Sequence, residues 1–259
     1  MQWILQPFED TQKLADALDR LGIPFSWHKV VPFVGDLIPE PEIPDPASVV
    51  LFGSYGMWRW AEARHLKPGV FRLRPFVDEV PWQPFMLNGP DAVFLTISQF
   101  DSQLTDADTL WFSRPVADSK EQAGAVRSAR ELRETARKVM SLRPDEIPRG
   151  SLRPDTLMML TRPAHILKEW RIWVVGDQVV TYSLYKEGAR VTYRPEIDDD
   201  ALGFARMLVA RNPAYSPAYV MDICRTDDGL RLLETNCINA AGFCAAEVVR
   251  LASATDALA

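Results

Sequence analysis

Toward the C-terminal end, the run from Tyr219 to Asn236 leaves this chain little conformational freedom. Two apolar stretches with period-two alternation flank Asp227-Asp228-Gly229. Such a composition makes a tight β-hairpin, with the glycine taking a backbone conformation of positive φ. A three-residue loop pairs Thr226 with Leu230, and that register sets Asp222 directly opposite Glu234. Asn236 lies two residues further on, so its side chain shares their face. A two-residue loop would turn Asp222 to the other face, so the register decides the chemistry. Two carboxylates opposed across a ladder repel unless positive charge lies between them. Glu234 follows Leu230-Arg231-Leu232-Leu233 in a strand that reads as largely buried, which favours a cation site over a solvated acidic rim. Asp222, Glu234 and Asn236 offer only oxygen donors, the preference of a hard ion such as Mg²⁺. That ion is commonly held by one or two carboxylates plus the phosphates of a substrate.

With 259 residues, 47% of them hydrophobic and 25% charged, the chain can bury a large core in one or two domains. No apolar run approaches the length of a membrane span, and the first residues lack a basic leader followed by an apolar stretch. The expected location is therefore the cytoplasm, with no membrane partner. A net charge of −6 argues against a general nucleic-acid binder. Cys224, Cys237 and Cys244 are odd in number and form no Cys-x-x-Cys pair, which fits reduced, buried thiols. His28, His65 and His165 are scattered and read as structural or surface residues. The glycine-rich phosphate loops, the nucleophile elbow and the His-Glu-x-x-His motif are all missing, so any nucleotide is held by other means.

Residues 1–80 read as a separate small α/β layer. A strand at Gln2–Gln6 precedes a helix from Asp10 to Leu21, stopped by Gly22, and a second strand spans Ile23–Val31. Val49–Phe52 is a buried-type strand ending in Gly53-Ser54-Tyr55-Gly56, a loop whose glycines could let a ligand approach closely. In residues 81–163 the spacing predicts a helix at Ala92–Phe100, a strand at Thr109–Pro115 and a loop at Val116–Val126. Ser128-Ala129-Arg130-Glu131 is a capping box opening a helix to Met140, and Leu157–Leu160 is a strand. Residues 164–259 begin with a hairpin turning at Gly176-Asp177, which puts Arg171 opposite Tyr182 and Glu169 on Arg171's face. Helices are expected from Asp198 or Asp199 to about Arg211 and from about Gly242 to Ser253. The class is α+β, with antiparallel hairpins in the C-terminal half.

Three basic residues complement the acidic hairpin. Arg114 ends a strand, and Lys120 lies six residues on, across a loop, so the two can reach separate points of a polyphosphate. Arg171 lies between Trp170 and Trp173 in an apolar strand, where a buried guanidinium needs Glu169 or a phosphate as partner.

Taken in order, these elements resemble the ATP-grasp superfamily. The resemblance is carried by Phe112-Ser113-Arg114-Pro115, then Met159-Leu160-Thr161, then Glu169-Trp170-Arg171, then Asp222 with Glu234-Thr235-Asn236. The Arg-Pro-Val-Ala-Asp-Ser-Lys run at 114–120 is similar to a divergent clade of bacterial and phage proteins, which includes a eukaryotic chaperone for assembling a translation initiation factor. The resemblance implies an ATP-grasp fold of two α+β subdomains, residues 81–163 and 164–259, clasping ATP after a pre-grasp layer. It further implies an adenine hinge at Met159, Leu160 and Thr161 and phosphate contacts from Arg114, Lys120, Glu169 and Arg171. Arg171 and Lys120 would act in catalysis, and Asp222, Glu234 and Asn236 would bind Mg²⁺. The implied activity is an ATP- and Mg²⁺-dependent carboxylate–amine ligase working through an acyl phosphate on small-molecule, peptide or protein substrates. A nucleotide-gated binding protein or assembly chaperone would use the same site without turnover, and a kinase would stop at phosphoryl transfer.

Overall fold

The computed structural model describes residues 1–32, 34–89, 91–117, 122–148 and 150–258. They form two compact units, one made of Met1–Leu73 with Ile166–Ala259 and the other of Arg74–His165.

The first unit opens with strand β1 (Gln2–Leu5), helix α1 (Thr11–Leu21) and strand β2 (Phe25–Trp27). Gly22, at φ 66°, ends α1 as its spacing predicts. A small ladder of β3 (Lys29–Val30) and β4 (Leu37–Ile38) precedes β5 (Val49–Phe52), helix α2 (Tyr55–Ala63) and β6 (Pro68–Gly69). Strands β2-β1-β5-β6 make a parallel sheet in that order. Gly53 at the mouth of this sheet is explained by packing, since an added Cβ would lie 2.6 Å from Met57 Sδ and 2.9 Å from Gln6 Cβ. Gly56 is constrained likewise, 2.8 Å from Val30 Cγ1. His28 is structural, its ring nitrogens reaching Pro39 O and Ser26 Oγ.

In the second unit, the predicted helix at Ala92–Phe100 is instead strand β7 (Val93–Thr96) followed by a 3-10 turn and the short helix α3 (Phe100–Gln103). The pattern of Leu95, Ile97 and Phe100 suits either state, and pairing with a neighbouring strand decides it. That neighbour is β10 (Leu157–Thr161), the next elements in the chain being β8 (Leu110–Pro115), β9 (Ala125–Ser128) and helix α4 (Ala129–Met140). The expected loop at Val116–Val126 therefore gives way to β9 at Ala125. Strand order is β7-β10-β8-β9, all antiparallel. The capping box forms: Glu131 N–H donates to Ser128 Oγ, and Ser128 N–H donates to Glu131 Oε2 at 2.7 Å. Leu95, Phe100, Leu132, Ala136, Met158 and Leu160 make this unit's core on the α4 side of the sheet.

The chain then returns to the first unit with β11 (Ile166–Val175), β12 (Gln178–Glu187), β13 (Arg190–Arg194), α5 (Asp199–Arg211), β14 (Ala218–Thr226), β15 (Gly229–Asn236) and α6 (Val248–Asp256). The last helix starts six residues later than expected, because Gly242–Glu247 is irregular and Cys244 has φ 52°. Strands β13-β12-β11-β14-β15 form an antiparallel sheet. One core joins it to the N-terminal layer: Trp3, Leu5, Leu14 and Leu18 pack with Trp173, Val175, Val220 and Leu251, and Phe52 stacks on Phe243 at 5.0 Å. Full burial of each such side chain stabilises by about 1.5–3 kcal/mol. Asn239, 1% exposed, ties the same two parts together. Its Nδ2 donates to Leu51 O at 2.6 Å, its Oδ1 accepts from Phe71 N at 2.8 Å, and its carbonyl accepts from Gly53 N.

Both long hairpins depart from an unbroken two-residue alternation. In the β14–β15 hairpin the turn holds two residues, Asp227 and Asp228, not three, with Thr226 paired to Gly229 at φ 106°. That shorter turn alone would set Asp222 against Leu233. A β-bulge leaves Leu233 without an opposite residue and restores Asp222 to Glu234. The β11–β12 turn is Gly176-Asp177 as predicted, at φ 56° and 58°. There, however, a bulge at Val180 moves Arg171 from the expected Tyr182 to Ser183.

Candidate functional site

The restored register lines up Glu234, Asp222 and Arg171 side by side on three adjacent strands. Asp222 is 1% exposed and receives a fork: Arg171 Nε donates to Oδ1 at 2.9 Å and Nη2 to Oδ2 at 2.7 Å. Asn236 Nδ2 donates to Glu234 Oε1 at 2.9 Å and to Asp222 Oδ2 at 3.3 Å, so the amide bridges the two carboxylates. Two residues along β11, on the same face as Arg171, Glu169 is 3% exposed and accepts from Lys186 Nζ at 2.8 Å. Tyr185 hydrogen-bonds the same carboxylate, and its ring lies 5.3 Å from the Arg171 guanidinium.

Burial raises the Asp222 pKa above the usual carboxylate range. The Arg171 guanidinium opposes that rise, while Glu234 and Glu169 add to it. Burial alone would weaken Arg171's charge, but the fork to Asp222 more than offsets it and holds the guanidinium protonated. Burial, then Glu169 and Asp222, push the Tyr185 hydroxyl up, so it stays neutral and can donate. Cys224 faces Glu169 across β11 and β14; burial and that carboxylate push its thiol up to about 12. All three cysteines are free, Cys224 and Cys237 buried.

The approach of Lys186 and Tyr185 to Glu169 was not legible in the sequence. The only sequence signal is a lysine following the apolar and aromatic stretch Val179–Tyr185, and their approach to Glu169 depends on a second bulge, at Tyr185.

Arg114, Met159, Leu160 and Thr161 lie in the other unit. Arg114, 9% exposed, stands opposite Met159 in the β8–β10 ladder. Its guanidinium is 5.4 Å from the Phe76 ring, and Nε donates to Pro115 O. Met159 shares the Arg114 side of the sheet, whereas the Leu160 side chain joins the α4-side core. Thr161 Oγ1 donates to Asn88 Oδ1 at 2.9 Å. Lys120 falls outside the described residues.

A family profile described as an ATP-grasp domain, the third family of its clade, matches residues 59–257. The chain belongs to that ATP-grasp family. No curated protein sequence matches it. Among solved structures, this ATP-grasp chain is similar to D-cycloserine synthetase DcsG, at 14% identity and TM-score 0.60, covering 100% of this chain and 99% of that one. It is similar to D-alanine–D-alanine ligase from Bacillus anthracis complexed with ATP, at 12% identity and TM-score 0.55, covering 94% and 87%. It is also similar to the ATP-grasp ligase PsnB complexed with a minimal precursor, at 15% identity and TM-score 0.52, covering 99% and 98%. At these identities the likeness speaks for the fold.

The donor set fits a hard divalent cation. It offers two carboxylates and an amide that can present its oxygen on rotation. Among the described residues no three His, Cys, Asp or Glu side chains gather into a closed metal cage, so phosphate oxygens would have to complete the shell. No helix among them is long and apolar enough to cross a membrane.

Proposed function

We propose that this ATP-grasp protein is an ATP- and Mg²⁺-dependent carboxylate–amine ligase of the cytoplasm. The observation that carries the reading is the row Glu234–Asp222–Arg171 across three strands, its central carboxylate buried and Asn236 bridging the two carboxylates. Asp222, Glu234 and Asn236 would hold Mg²⁺, which when bound neutralises charge on the β- and γ-phosphates. Arg171 commits Nε and Nη2 to Asp222 and keeps Nη1 without a partner among the described residues, available to a transferring phosphoryl group. Lys186 neutralises Glu169 two residues along the same face, and the two-point fork to Asp222 fixes the guanidinium plane. Arg114, and Lys120 from the segment beyond it, supply further charge to the phosphate chain, and Met159–Thr161 meet the base. Such positioning and charge neutralisation are most of what phosphoryl transfer needs from a protein.

In the reaction a carboxylate oxygen attacks the γ-phosphorus and ADP leaves. An amine then attacks the acyl carbon, loses its proton, and phosphate departs. The named neighbours are a D-cycloserine synthetase, a D-alanine–D-alanine ligase and a ligase complexed with a minimal precursor, which supports amino acids or a peptide as the acceptor class. Calorimetric titration with ATP and Mg²⁺ should show binding that Asp222→Ala or Glu234→Ala abolishes, and ADP release should rise when acceptor amino acids or peptides are added. Full-strength nucleotide binding by the double variant would end the proposal. Binding without turnover would assign a nucleotide-gated binding module instead.

A further inference from the structure

We infer that Asn88 reads the nucleotide base through one hydrogen bond to a ring nitrogen, an inference that rests on the ATP-binding reading above. Asn88 is 7% exposed, in the turn that follows the 3-10 segment Val80–Phe85. Thr161 Oγ1 donates to its Oδ1, and that bond fixes which end of the amide faces Thr161. The other end, Nδ2, is buried and has no hydrogen-bond partner among the described residues. Buried amide donors are almost always satisfied, so an orphan asks for an acceptor that the chain itself does not supply.

Its place in the fold says which acceptor. Thr161 is the last residue of β10, and Met159, two residues before it, stands opposite Arg114 on the sheet side away from α4. A cation for phosphate and an orphan neutral donor thus occur in one unit, tied to neighbouring positions of one ladder. A phosphate would draw on the guanidinium, whereas a buried, uncharged amide N–H suits a neutral aromatic nitrogen.

The test compares two ligands on the full chain in the presence of Mg²⁺, ATP and inorganic tripolyphosphate, the second lacking a base. Asn88→Leu should weaken ATP about tenfold, the value of one hydrogen bond to a neutral group, and leave tripolyphosphate unchanged. Asn88→Asp keeps the size, removes the donor and should give the same split. On the wild type, one of the 1-, 3- and 7-deaza analogues of ATP should lose a similar factor, and Asn88→Asp should no longer distinguish that analogue from ATP. Equal weakening of both ligands, no weakening of either, or three deaza analogues that all bind like ATP would overturn the inference and leave a buried water on Nδ2. A wild type that binds neither ligand would overturn the nucleotide reading and this inference with it.

Discussion

The two units that carry the candidate ATP-grasp residues surround their charged groups differently. In the five-stranded sheet the charges are buried but answered within the sheet: Asp222 by Arg171 and Asn236, Glu169 by Lys186 and Tyr185. In the other unit, Arg114 lies beside an aromatic ring and a carbonyl, Asn88 in a turn keeps a donor without a partner among the described residues, and Phe94 and Leu157 of the four-stranded sheet remain exposed. The first arrangement is preorganised for charge and resists rearrangement. The second leaves a neutral donor and two large apolar side chains unsatisfied among the described residues.

That contrast breaks most visibly at Asp222. Asp222→Ala should cost about 3–5 kcal/mol, because it strands a largely buried guanidinium. The paired change Asp222→Leu with Arg171→Met should recover most of that while abolishing nucleotide binding; urea unfolding measures both. Asn239→Ala comes next, at roughly 3 kcal/mol, since it orphans backbone groups of Leu51 and Phe71 at once. Hydrogen exchange should show the loss in β5 and β15 and leave β8 and β10 unaltered.

How much of this was legible follows from the range of each interaction. Gly22, the Ser128–Glu131 box and the Gly176-Asp177 turn are written within a few neighbouring residues, and each forms as read. Asp222 and Glu234 do meet, although by a two-residue turn and a bulge that period-two reasoning does not contain. Lys186, Tyr185 and Asn88 find their partners only through bulged registers or a contact 73 residues away, which no local pattern encodes. The Val93–Thr96 strand reads as helix for the same reason, its identity being set by β10.

Smaller effects sharpen the comparison in the second unit. Ser128→Ala should remove about 1 kcal/mol by uncapping α4, read as faster hydrogen exchange in its first turn. Asp101 offers a pH test. Hydrogen bonds from Arg137 and then Arg133 hold its carboxyl below the ordinary value of 3.8. Its folded pKa is depressed, so its contribution is complete above that ordinary value and is lost as pH falls through the lowered one. Acid unfolding of the wild type and Asp101→Asn should therefore differ slightly near neutrality and converge at strongly acid pH.

The extra residue at Leu233 works as a phase corrector for the hairpin. Deleting Leu233 should straighten the strand yet leave Asp222 opposite Glu234, because the bulge holds one residue more than the partner strand. In the full-length hairpin, a three-residue turn over Asp227-Asp228-Gly229 would reach the same pairing without the bulge, Thr226 then facing Leu230. For a hairpin of this length, connector length and bulge are thus interchangeable counters.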